Sequence, residues 1–171
     1  SRTIVHVGVG DEPDVIWKIV RRPRSPRGTL TIDATTFGVR TFRLSLHAPS
    51  YQAPNAVTAA VAAGMALLST STFRTMSMTF DSLRQMNFPG RFELLRATPP
   101  LVIDGAHNPQ AAGVLATAIG EAFGTEPPVV VLAILADKDA EGIVRALTPV
   151  ARAFVVSEND SPRCMPAGEL A

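Results

Sequence analysis

"LVIDGAHNPQAAGVL", residues 101–115, is the stretch whose reading decides the fold. An apolar run closes on an acidic residue, Asp104, a loop of small and polar residues follows, and Pro109 opens an alanine-rich segment. A strand ending in a carboxylate, then a tight turn and a helix, is the join that recurs in parallel α/β sheets, where ligands settle outside the carboxyl ends of the strands. Asn108 suits the position that caps the helix and Pro109 its first turn. The unpaired N–H groups and positive dipole end of such a helix suit a phosphate, and the Asp104 oxygens can accept from ribose hydroxyls. A plain strand-to-helix turn, in which Asp104 and Asn108 satisfy only backbone donors, explains the same spacing equally well.

Downstream of this join the pattern keeps alternating. "PVVVLAIL" (128–135) reads as a buried strand, 139–148 as a helix, "RAFVVS" (152–157) as a strand, and a further helix begins near Pro166. Such alternation implies crossover connections and a parallel sheet. An all-apolar run like "VVVLAIL" is expected of a strand covered on both faces. Upstream, "RFELLRA" (91–97) and "PLVID" (100–104) are strands, and Pro89-Gly90 marks a turn at a change of pattern, so a domain boundary is placed there: 1–88 and 89–171. The chain stops with a helix starting, so this second domain is expected to be incomplete.

The first part is built differently. "TIVHVGV" (3–9), "VIWKIVRR" (15–22), "GTLTIDA" (28–34) and "RTFRLSLH" (40–47) are short runs rich in Val, Ile and Thr, punctuated by Gly and Pro, and predict an antiparallel meander. "QAPNAVTAAVAAGMALLS" (52–69) predicts a helix with Pro54 in its first turn, and "TMSMTFDSLRQM" (75–86) a second, shorter one.

Composition narrows the function classes. With 46% hydrophobic residues, a mean hydropathy of +0.19 and a net charge of +1, the chain can bury a core and lacks the basic excess of a general nucleic-acid binder. The basic run "RRPRSPRG" (21–28) reads as a solvated loop. The single cysteine, Cys164, excludes a disulfide framework, and His6, His47 and His107 lack metal-ligand spacing, so no metal site is expected within the chain. No apolar run has membrane-spanning length and the N-terminus has no signal-peptide core; a cytoplasmic protein is expected. "HVGVGDEP" has Pro13 where a dinucleotide fingerprint needs its third glycine, and neither Lys18 nor Lys138 sits in a Walker A context.

Several residues can serve a nucleotide. Arg91, just after the turn, can form a bidentate pair with phosphate. Asn55, at a helix start, can both donate to and accept from an adenine edge. "DKD" (137–139) follows a buried strand and lies at the same ligand edge, though Asp139 also suits a helix cap. Taken singly, Arg91 reads as a surface arginine and Asn55 as a first-turn residue bonding nearby backbone.

In order, "YQAPNAVTAA", "FPGRFE", "VIDGAHNP", "LADKD" and "SPR" resemble the C-terminal half of folylpolyglutamate synthase/dihydrofolate synthase, of the Mur ligase superfamily, over about residues 40–171. Gly105 and Asn108 favour the folate branch over the "DYAHTP"-like version of peptidoglycan-precursor ligases. The resemblance implies the end of a central ATPase domain (1–88) followed by a Rossmann-like, mostly parallel α/β C-terminal domain (89–171). It implies ATP and Mg²⁺, with the metal ligands outside this chain, and folate or dihydropteroate and L-glutamate as the remaining small-molecule ligands. ATP phosphorylates a folate carboxylate, and the glutamate amine attacks the acyl phosphate. Asn55 is then expected at adenine, Arg91 at the ATP phosphates, Asp104 at the ribose and His107 near the phosphates, with Arg91 and His107 the candidate catalytic residues. Arg163 in "SPR" is a further candidate to pair with a carboxylate.

The chain departs from the family pattern at Tyr51, where "HQ..N" would place His. The family's Walker A loop has no counterpart here, so this chain alone is expected to be inactive. The complete enzyme is expected to be monomeric. The alternatives are another amide ligase of the superfamily and a non-catalytic nucleotide-binding module.

Overall fold

The structure, a computed structural model, describes residues 7–8, 15–36, 40–68 and 88–171. It divides into two compact units, Ser1–Phe88 and Pro89–Ala171. The helix expected over 75–86, and most of the glycine-containing segment 6–13, lie outside the described residues.

The first unit holds a four-stranded sheet in the order β1 (Val7–Gly8), β2 (Val15–Arg21), β3 (Thr29–Thr36), β4 (Arg40–His47). Side chains on β3 alternate between buried and half-buried, placing Leu30, Ile32 and Ala34 on the covered face. The register sets Leu30 against Leu46 and Ile32 against Leu44, so the apolar sides of both strands coincide. A turn of 3-10 helix (Ser50–Gln52) leads into α1 (Ala53–Leu68). α1 buries Ala53, Val57, Ala60 and Val61, the spacing that lines one helical face, and packs on β3. One expectation is corrected: β1 pairs parallel with β2, so the antiparallel meander comprises β2, β3 and β4. Alternating hydrophobicity reports which face a strand buries, not the direction in which its neighbour runs.

The second unit contains β5 (Glu93–Ala97), β6 (Pro100–Ile103), α2 (Pro109–Phe123), β7 (Val129–Leu132), α3 (Ala140–Leu147), β8 (Ala153–Val156) and the short α4 (Ala167–Leu170). β7 and β8 are parallel, with α3 as the crossover, and run in register from Val129↔Ala153 to Leu132↔Val156. α2 packs on α3, and Ala112, Ala118, Ile119, Ile143 and Leu147 are buried. The start of α3 approaches α2 closely: a Cβ on Gly142 would lie 2.6 Å from Cγ of Pro109 and 2.5 Å from Oδ2 of Asp139.

Two further expectations change here. β6, expected as a parallel strand, pairs antiparallel with β5 in a hairpin closed by Thr98 and Pro99. The connection is too short for a crossover, which needs a dozen or more residues. β7, expected to be covered on both faces, has one open face, with Val131 66% exposed and Val155, its cross-strand neighbour, 50% exposed. An unbroken apolar run has no alternation from which a covered face can be read.

Candidate active site

The site residues of the second unit converge on two segments, 88–93 and 104–109. The first leaves extended geometry twice: Gly90 has φ +65° and Phe92, a bulky residue, φ +53°. The left-handed region costs a side-chain-bearing residue about 1–2 kcal/mol, so Phe92 must be held there by its surroundings. Its ring is buried, at 6% exposure, and its N–H donates to Oδ2 of Asp104 at 2.8 Å. The Gly90 N–H donates to Oε2 of Glu93 at 2.8 Å, and the Gly90 carbonyl accepts from the Gly105 N–H at 2.8 Å. Arg91, between the two left-handed residues, is exposed.

Asp104 is half-buried and binds both segments together, since its Oδ1 accepts from the Ala106 N–H at 2.9 Å. Both carboxylate oxygens thus accept backbone N–H bonds. A carboxylate oxygen is an acceptor only, so the N–H groups are the donors and Asp104 meets them on two sides. Nδ1 of His107 lies 2.9 Å from the Gly105 carbonyl. A carbonyl only accepts, so Nδ1 is the donor in this bond. Asn108 caps α2 through its side-chain oxygen, which accepts from the Ala111 N–H at 2.8 Å, with Pro109 in the first turn. Asp104 and Asn108 therefore do the backbone work that the plain-turn reading assigned to them, in the same loop that presents His107.

At the carboxyl edge of β7, Asp139 caps α3 by accepting from the Gly142 N–H at 2.8 Å. Asp137 pairs with Nζ of Lys138 at 2.8 Å and with the Arg163 guanidinium at 3.5 Å. The Lys138 ammonium, and to a smaller degree Arg163, holds the Asp137 carboxyl below the ordinary carboxylate range. Arg163 thus already faces a carboxylate, that of Asp137.

Asn55 lies in the first unit, exposed in the first turn of α1, and its amide donates to Oε1 of the buried Gln52 at 2.9 Å. The structure thus brings Arg91, Asp104 and His107 onto adjoining loops of one unit, while Asn55 belongs to the other. Glu93 and Phe92 were not among the residues expected at the site. The signal for Glu93 was its place in "PGRFE", where a carboxylate follows a Pro-Gly turn closely enough to reach back to it; nothing in the sequence marked Phe92 as left-handed.

A parallel β–α–β arrangement beside a loop that combines an arginine, a carboxylate and a helix start is an α/β domain with groups suited to a phosphate-bearing ligand. Residues 90–171 match the family described as Mur ligase, glutamate ligase domain. The chain is 45% identical over 83 residues to a dihydrofolate synthase/folylpolyglutamate synthase of Mycobacterium tuberculosis, covering 48% of this chain and 17% of that protein. Its fold is similar to that of a Mycobacterium tuberculosis folylpolyglutamate synthase complexed with ADP, with a TM-score of 0.69 and 32% identity, covering 90% of this chain and 34% of that one. It is also similar to a bifunctional folylpolyglutamate synthase/dihydrofolate synthase with Mn, AMPPNP and L-glutamate bound (TM-score 0.62, 26% identity, 91% of this chain and 34% of that one). The chain therefore spans about a third of the length of these solved relatives.

Proposed function

We propose that this chain is the C-terminal portion of an ATP-dependent ligase that adds glutamate to folate or dihydropteroate: the tail of the central ATPase domain (1–88) and the C-terminal domain (89–171). The observation that carries the reading is the joined pair of loops in which Asp104 ties the Arg91 segment to the start of α2. The ADP, AMPPNP and L-glutamate named with the solved relatives support it.

Phosphoryl transfer from ATP to a folate carboxylate gives an acyl phosphate; the glutamate amine attacks it, and phosphate leaves as the amide forms. Catalysis of this kind rests mostly on positioning and charge neutralisation. Arg91 contacts the phosphates as a planar fork, Asp104 accepts from the ribose, His107 lies near the phosphates and Asn55 meets the adenine. The chemistry of Arg91, Asp104 and His107 suits a nucleotide, and Arg91 and His107 are exposed. Mg²⁺ is expected with the nucleotide. Among the described residues no group of three side chains can hold a metal, and its ligands are assigned to other parts of the enzyme. No helix among the described residues is long and apolar enough to cross a membrane. The proposal places the enzyme in the cytoplasm, as a monomer when complete.

The deciding experiment is ADP release by the full-length protein with dihydropteroate or a folate in the presence and absence of L-glutamate. Release that needs both acid and glutamate supports the proposal, and release with a different acid transfers the chain to another ligase of the superfamily. The 171-residue chain alone is expected to release no ADP, and folate-dependent release from it would overturn the assignment of the phosphate machinery to other parts of the enzyme.

A further inference from the structure

We propose that Glu93 is a positioning residue for Arg91, forming with Asp104 a two-carboxylate clamp on the backbone that carries the guanidinium. The inference rests on the reading of Arg91 as the ligand of the ATP phosphates and adds a residue and a mechanism to it.

Arg91 is flanked by two left-handed residues, and each has its N–H held by a different carboxylate: Gly90 by Glu93 and Phe92 by Asp104. The Gly90 carbonyl is held as well, by the Gly105 N–H. Three hydrogen bonds and one buried ring thus fix a segment in which neither flanking φ is one that an unconstrained chain with side chains favours. Charged acceptors make such bonds roughly twice as strong as neutral ones. A guanidinium that must meet phosphate as a rigid fork gains from this, because Arg carries several side-chain rotors of its own and its backbone origin is the one part the fold can fix. Glu93 reaches the turn because it opens β5, three residues beyond Gly90, and its backbone is secured by pairing with Ile103.

The two carboxylates differ in a way that can be tested. Glu93 holds the Gly90 N–H through Oε2, and an amide oxygen can accept the same bond. Asp104 accepts two N–H groups on separate oxygens, so an Asn there would turn an NH₂ group toward one of them.

The test uses the full-length protein and MgATP. Glu93→Ala is expected to speed hydrogen exchange in the peptide containing Gly90 and to lower kcat/KM for ATP about 10-fold or more, as a misplaced catalytic group does, with KM for glutamate unchanged. Glu93→Gln is expected to restore most of the exchange protection and of the rate. In an Arg91→Ala background, Glu93→Ala is expected to cost nothing further, since the two act as one unit. Unchanged exchange at Gly90 in Glu93→Ala would overturn the clamp. An equal loss from Glu93→Ala with and without Arg91 would overturn its action through Arg91. If Arg91→Ala by itself leaves the ATP kinetics unaltered while the exchange change persists, the phosphate assignment of Arg91 is what fails, and the positioning role fails with it.

Discussion

The Phe92 backbone N–H donates to the Asp104 carboxylate at 2.8 Å, across the join between the segment that carries Arg91 and the loop that carries His107. Asp104 is therefore both a candidate ligand of the ribose and the tie that holds an arginine-bearing loop in place. The two roles share one carboxylate.

Asp104→Ala in the full-length enzyme is expected to weaken ATP binding more than folate binding. Loss of a hydrogen bond at a partly buried site, with a donor left unmet, costs about 1–3 kcal/mol. Separate titrations with ATP and with folate check this. Equal losses for both ligands would indicate a folding defect, and a loss confined to folate would remove the ribose assignment.

Arg91→Lys should lose activity although the charge is kept. A guanidinium meets a phosphate through two parallel N–H groups, and an ammonium is a point charge. Steady-state turnover at saturating ATP is the measurement, and near-normal turnover would return Arg91 to the role of a surface arginine.

Gly90→Val tests the left-handed turn. Apart from its chain neighbours, no heavy atom lies within 4 Å of where a Cβ would stand, so the cost of that first side-chain atom is the φ of +65° itself, about 1–2 kcal/mol. Thermal stability is expected to fall by no more than a few degrees, as that cost implies. Turnover is expected to fall strongly, because relief of the strain moves the backbone next to Arg91. A variant with full turnover would show that the turn acts as an inert corner.

Gly142→Ala should destabilise the second unit. The added methyl would fall 2.6 Å from the Pro109 ring and 2.5 Å from the Asp139 carboxylate that caps α3, an overpacking that costs about 1–3 kcal/mol. Denaturant titration checks it, with the midpoint expected to drop in Gly142→Ala. A midpoint equal to that of the wild type would mean that α2 and α3 can move apart freely.

The Asp33 carboxyl, bonded to the Arg43 guanidinium at 2.6 and 2.8 Å, is held below the ordinary aspartate range chiefly by that hydrogen bond. A pKa lowered on folding adds stability that is fully present above the unfolded-state value and is lost as pH falls through the lower, folded-state value. Titration of the Asp33 carboxyl carbon by NMR should give a midpoint below that of an ordinary aspartate, and Arg43→Ala should raise it. An ordinary midpoint in the unaltered protein would show that the pair does not form in solution.

The sequence by itself determined much of this protein. Local chemistry was enough for α2, because Asn108 and Pro109 stand ahead of an alanine-rich run as a helix cap and first-turn residue do, and for β3, whose alternation shows its buried face directly. The order of strands and helices from residue 100 onward was legible for the same reason, because each motif is short and its residues are neighbours in the chain, whereas the grouping of Arg91 with Asp104 and His107 came from the family resemblance. Only the tertiary structure decided the pairing partners and directions of β1 and β6, the open face carrying Val131 and Val155, and the use of both Asp104 oxygens on backbone N–H groups. Each of these depends on what lies across space from a residue. A hydrophobic pattern records that a side chain is to be covered, and a carboxylate records that it can accept hydrogen bonds. Neither records which distant backbone comes to meet it, and for Phe92 it is that distant carboxylate, together with burial of the ring, that holds an unfavourable φ in place.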